Sequence, residues 1–133
     1  MTATFHPTTA QNAHLLGAHA LVGQLLATRP QLGVASAVTI TTHIGVRVQI
    51  SSEDTRNPAT VLLAWAALLG NPTVTGIRRD PMFTFVHVHG TYADEPFTVT
   101  ASFGENEAAD LVRDACGELT VHDLQRLQAA GVR

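Results

Sequence analysis

The segment "FTFVHVHG", from Phe83 to Gly90, sets two phenylalanines and two histidines at alternate positions. A period of two is that of a β-strand, so Phe83, Phe85, His87 and His89 share one side, and Thr84, Val86 and Val88 the other. Three chemistries are open to such a stripe. Paired imidazoles can grip a metal ion such as zinc, with His43 as a third ligand from a neighbouring strand. Exposed aromatic rings can stack on nucleotide bases. An apolar stripe on an uncovered sheet face can also receive a protein or small-molecule partner, with Arg47 beside it as a cation. Valines normally seek the core, and so do phenylalanines. Whichever side turns inward, something apolar is left outside or something polar is taken in.

The neighbouring residues bear on the first two chemistries. His-x-His followed by an acid resembles the metal motif of the cupins, with Asp94 or Glu95 in the acid's place. The ten residues between Gly76 and His87 exceed the cupin spacing, and the chain holds too many helical segments for that barrel. The spacing in "FTFVHV" is similar to the signature strand of the RNA-recognition motif. Pro81 and Met82 stand where that strand wants a basic residue and glycine, and "VTITTH" offers threonines where a second aromatic strand belongs. The segment "AADLVRDACGELTVHDLQRL" resembles a helix-turn-helix in its turn glycine. Its second helix carries only Asp123 and Arg126 as charges and its first is acidic, which phosphates would avoid.

Catalysis has few other handles. The chain contains no Gly-x-Ser-x-Gly and no phosphate-cradling glycine loop. Asp94 and Glu95 are adjacent in a turn and point apart. His14 and His19 are five apart on a helix, outside the spacing that brings two side chains together. Arg78 and Arg79 read as a solvated hairpin tip. Trp65 reads as core.

Composition narrows the partners. All eight basic residues are arginine, against eleven acids, for a net charge of −3. Residues 1–52 hold two arginines and no acid; residues 104–133 hold six acids and three arginines. So little positive charge argues against nucleic acid as a partner. The sole cysteine, Cys116, excludes an internal disulfide and fits a reducing compartment; we expect it buried on an apolar helix face. The N-terminal stretch has neither the basic nor the apolar region of a signal peptide, and the apolar runs are too short to span a bilayer. These features predict a cytoplasmic protein with no membrane partner.

The elements that must position the stripe are read from periodicity and caps. A single α+β domain over residues 1–133 is expected, in the order α-ββ-α-βββ-αα, with about five mostly antiparallel strands and helices packed on one face. Thr9 to Ala27 reads as a helix with Leu15, Ala18, Val22 and Leu25 on one side. In "AVTITTHIGVRVQIS", Val38, Ile40, Val46, Val48 and Ile50 alternate with polar residues. Its length predicts a hairpin turning at His43–Gly45, with one bent strand as the alternative. In "NPATVLLAWAALLGNP", Asn57 caps a helix, Pro58 enters it, and Gly70 and Pro72 end it. Residues 61–69 are apolar on every side, so one face is expected against a second copy of the chain. Strands follow at about 73–78, 82–91 and 96–103, joined by turns at "RRDP" and "YADEP". Phe97, Val99, Ala101 and Phe103 face inward on the last. Ser102 and Glu105 predict a capping box for a helix striped by Ala108, Leu111, Val112 and Ala115. Thr120 and Asp123 predict another for a helix carrying Leu124 and Leu127.

The stretch "VRVQISSEDTRNPATVLLAWAALLGNPTVTG" resembles small uncharacterised proteins of actinobacterial genomes and their phages or plasmids. That resemblance implies no activity and assigns no site residue.

The expectation is therefore a non-enzymatic, self-associating accessory protein, a homodimer. It would bind a partner through Phe83, Phe85, His87, His89 and Arg47, with no cofactor. The alternatives are a small metal-dependent or acid–base enzyme on His87, His89 and His43, with zinc the candidate ion, and a nucleic-acid-binding regulator.

Overall fold

The computed structural model describes residues 7–80 and 83–133. Helix α1 (Pro7–Thr28) is followed by a 3-10 turn (Pro30–Leu32) and the strands β1 (Ala35–Thr41) and β2 (Gly45–Ile50). Helix α2 (Pro58–Leu68) leads into β3 (Gly70–Asp80), β4 (Phe83–Tyr92) and β5 (Glu95–Phe103). Helix α3 (Asn106–Asp114), the short strand β6 (Glu118–Leu119) and helix α4 (Val121–Ala129) complete the described chain. All six strands form one sheet in the order β1-β2-β5-β4-β3-β6. Every neighbouring pair is antiparallel except β2 and β5. The fold is α+β, as the pattern of elements predicts.

Helix α2 organises the inside. Its cap is local chemistry: the Asn57 side chain accepts a hydrogen bond from the Ala59 N–H at 2.8 Å, and Pro58 supplies a pre-set helical φ. Of residues 58–69 only Ala67 is exposed. Val61, Leu62 and Trp65 pack into a core with Val46, Val48, Val86, Val88, Phe97, Val99 and Phe103 from the sheet, Leu124 and Leu127 from α4, and Leu32 from the 3-10 turn. Trp65 stands 6.0 Å from the Phe97 ring, centroid to centroid, and its indole N–H donates to the Leu32 carbonyl at 2.8 Å. The buried donor is satisfied, so the whole side chain can be desolvated. The all-round apolarity of α2 is thus accounted for by one chain, and this helix leaves no large bare face for a second copy.

Several local expectations are met and several are corrected. The segment from β1 to β2 is a hairpin, not a bent strand, with Gly45 at a φ of 89°. Thr120 and Asp123 do form a capping box. Ser102 and Glu105 do not: α3 begins at Asn106 with Glu105 as its cap, and Ser102 is held inside β5 opposite Phe85. Ladder hydrogen bonds with β4 outweigh one cap. Cys116 is exposed rather than buried, because α3 stops at Asp114 and Cys116 turns out with a φ of 53°. The strand expected near 73–78 spans Gly70–Asp80, a bulge between Gly70 and Thr73 accommodating Pro72. The sixth strand, β6, and the parallel β2–β5 pair were not expected. The tip of the "RRDP" turn lies outside the described residues.

A partly buried polar cluster fixes the entry to α2. Asp54 accepts hydrogen bonds from the Val34 N–H at 2.8 Å, the Arg56 N–H at 3.0 Å, and the Arg56 guanidinium at 3.1 Å on each oxygen. Arg56 also donates to the Pro30 carbonyl at 2.6 Å. This ties the loop before α2 to the same turn that receives Trp65. Burial alone would raise the Asp54 pKa, but the bonds to Arg56, the Val34 N–H and the nearby positive charge together hold it below the usual carboxylate value. A depressed carboxylate contributes stability that is present above its unfolded pKa and lost as pH falls through the folded one. Asp54→Asn should therefore lower the unfolding free energy at neutral pH by about 1–3 kcal/mol, a range that allows for the partial exposure of Arg56. In urea titrations the gap between variant and parent should narrow below about pH 4. An unchanged gap there would mean that the carboxylate charge is not the source.

Candidate functional site

The competition between valines and phenylalanines on β4 is settled by what lies above each side. Thr84, Val86 and Val88 are turned to the helices and buried. Phe83, Phe85, His87 and His89 therefore stand on the opposite face. Of these, Phe83 is 47% exposed and the other three are half-buried. Register brings their neighbours beside them: Ser102, Thr100 and Thr98 of β5 pair with Phe85, His87 and His89, and Ile77 and Thr75 of β3 pair with Phe85 and His87. Beyond β5, Arg47 and Gln49 of β2 pair with Thr98 and Thr100, and Thr39 of β1 pairs with Arg47.

The histidines are held by hydroxyls. His87 Nδ1 lies 2.7 Å from Thr100 Oγ1. His89 is bound at both ring nitrogens, with Nδ1 3.1 Å from Thr98 Oγ1 and Nε2 2.9 Å from Thr75 Oγ1. The two rings tilt against each other at a centroid distance of 5.9 Å. A threonine hydroxyl can donate or accept, so either neutral tautomer of His89 finds matching partners. The result is a polar strut running from β3 through β4 to β5.

Arg47 is exposed and makes no ion pair among the described residues. Its charge reaches His89 nonetheless. Burial chiefly, and Arg47 secondarily, lower the His89 pKa below its ordinary 6.5. Across the face runs a depression of about 700 Å³, lined among others by Thr39, Arg47, Thr100, His87, Phe85 and Ile77. A cation and hydrogen-bonding side chains occupy one flank, and apolar side chains the other.

Of the residues singled out from sequence, Phe85, His87 and Arg47 line this depression, while His89 lies next to it in the strut. Phe83 lies at the end of β4, where it lines a smaller cavity of about 180 Å³ with Asp54, Arg56 and Arg133. The charged groups there are already engaged, Arg56 with Asp54 and Arg133 with the Thr55 carbonyl at 3.2 Å. His43 lies in the exposed β1–β2 turn, and the structure does not bring it to His87 and His89. Among the described residues no three His, Cys, Asp or Glu side chains cluster as a metal site. Thr75, Thr98, Thr100, Gln49 and Ile77 belong to the site and were not anticipated. Alternation in sequence places Gln49 on the side of Arg47 and turns Thr98 and Thr100 outward, and Thr75 shares the polar-apolar-polar pattern "TVT" at 73–75 and 98–100, but nothing in the sequence brings these strands together.

No protein-family model, curated protein or solved structure matches the chain.

The His89 environment has a measurable consequence. A base whose folded pKa is depressed favours folding when deprotonated. That stability is fully present above about pH 6.5 and is lost as pH falls through the lower folded value. An NMR titration should place the His89 imidazole below 6.5. Arg47→Gln should move it part of the way back, leaving the contribution of burial. A His89 midpoint at or above the ordinary value would refute the described packing of this ring.

Proposed function

We propose that the protein is a non-enzymatic binding module whose open sheet face receives a partner presenting an anionic group beside apolar surface. The observation that carries this reading is the depression itself. Arg47, without a carboxylate partner among the described residues, stands on one side of it, and Phe85 and Ile77 stand on the other. β2 and β3 are three strand spacings apart, about 14 Å, a span suited to a short peptide segment or an amphiphilic small molecule. Apolar side chains left on an uncovered face, Ile77 at 46% exposure and Phe83 at 47%, support contact with a partner. The engagement of both His89 nitrogens favours a positioning role over metal ligation or proton transfer. One arginine on β2 and none on the described part of β4 is a weak footprint for nucleic acid.

The setting we propose is cytoplasmic, supported by a single exposed, unpaired cysteine. No described helix is long and apolar enough to cross a membrane.

Anilinonaphthalene sulfonate, an aromatic anion, is a suitable first probe. It should fluoresce with the folded protein, and Arg47→Gln and Phe85→Ser should each reduce its affinity several-fold without lowering the melting temperature appreciably. Its affinity should also rise as pH falls through the His89 pKa, because a bound anion and a ring proton favour each other. Binding indifferent to both substitutions would overturn the proposal. A stoichiometric zinc-mass adduct in native mass spectrometry, abolished by His87→Ala, would replace it with a metal site.

A further inference from the structure

The edge of the sheet at β1 is unusually bare. Its sequence, "ASAVTIT", has no charge and no proline, and among the described residues β2 is its only neighbour in the sheet. Soluble proteins usually guard such an edge with lysine, proline, a bulge or a covering segment. Here the register shift between Ala35 and Ala37 is the one such device within the strand. The nearby helix α1 shares this character, with no Asp, Glu, Lys or Arg in its 22 residues. It turns Ala18, Val22 and Leu25 inward and leaves Leu16 70% exposed. Among the described residues, three of the five most exposed large hydrophobic side chains belong to this flank: Leu16 on α1, Val34 just before β1, and Ile44 in the β1–β2 turn.

We infer that this flank is the interface of a two-fold dimer, in which β1 pairs antiparallel with β1 of a second copy and the α1 helices lie beside the axis. A two-fold axis normal to the sheet lays a strand antiparallel to its own copy, so the unpaired N–H and C=O groups of β1 meet complementary groups with no further requirement. The charge pattern selects the same occupant. In an isologous contact every charged group near the axis meets its own copy; α1 and β1 hold no Asp, Glu, Lys or Arg, and the ionisable His14 of α1 is turned to Glu95 of its own chain at 3.0 Å. A partner of different composition would be recognised by charges that this flank does not offer.

The size is also sufficient. A helix of this length runs about 33 Å. Together with the adjoining strand it can bury on the order of 1,000 Å² over both copies, about where specific interfaces begin. Val38 and Ile40, half-buried in one copy, would be further enclosed. The pairing joins six strands from each copy into one sheet and sets both open faces on the same side. Two depressions would then address a repeating partner together. The inference stands apart from the ligand reading, since it uses neither Arg47 nor the histidines.

Sedimentation velocity across a concentration series should show a monomer–dimer equilibrium. Leu16→Lys and Ala37→Lys each replace an exposed side chain and place like charges across the axis. Each should weaken dimerisation by about tenfold or more, while Asp110→Lys on α3 should not. Hydrogen exchange at β1 should slow with rising concentration in the parent alone, which separates interface loss from unfolding. A monomer at every concentration would overturn the inference. So would a dimer insensitive to both lysines, or one dissociated by Phe85→Ser, which would move the contact to the open face.

Discussion

Enclosure of α2 is the constraint from which the architecture follows. An eleven-residue helix without a polar side needs cover around its circumference. The chain provides it with the inner face of the sheet below, α4 on one flank and the 3-10 turn on the other. Fully burying each large apolar side chain contributes about 1.5–3 kcal/mol, so Trp65, Leu62 and Val61 outweigh most local preferences nearby. The helices that complete this enclosure lie on one side of the sheet. The opposite side receives no layer from the described residues, and that asymmetry creates the candidate site.

A sheet face without cover must satisfy water and still hold its strands in register. The threonine–histidine strut answers both needs. Its members hydrogen-bond laterally across β3, β4 and β5, and their rings and methyl groups limit water's access to the ladder beneath. A neutral imidazole at His89 suits this place because burial disfavours a second cation beside Arg47. Side chains already fixed in this way have less conformational freedom to lose when a partner arrives.

Much of this was legible where the physics is local. Alternation identified β2, β4 and β5 and the inward residues Val48, Val99 and Phe103. Asn57 and Thr120 announced their helices through caps that depend on residues two or three positions away. What failed was nonlocal, or a contest between two local signals. Ser102 carries the residue type of a cap and the position of a strand, and pairing with β4 won. Cys116 fits a helical stripe, yet α3 ends before it and the chain reverses there. β6 is too short to show any period, and its existence depends on the free edge of β3.

The site divides along the same line. That Phe83, Phe85, His87 and His89 share a side follows from alternation alone. Which side faces out does not, because it depends on α2 demanding Val86 and Val88. The partners Thr75, Thr98 and Thr100 come from strands whose register is set far away in sequence, as does the distance that leaves His43 out. In a metal site the second nitrogen of a ligating histidine is typically bonded to a carboxylate, carbonyl or water, leaving the first for the ion. Here threonine hydroxyls occupy both nitrogens of His89. The same residue types at the same spacing thus make a strut that shapes a surface, and a His-x-His pattern acquires its chemistry from the strands placed beside it.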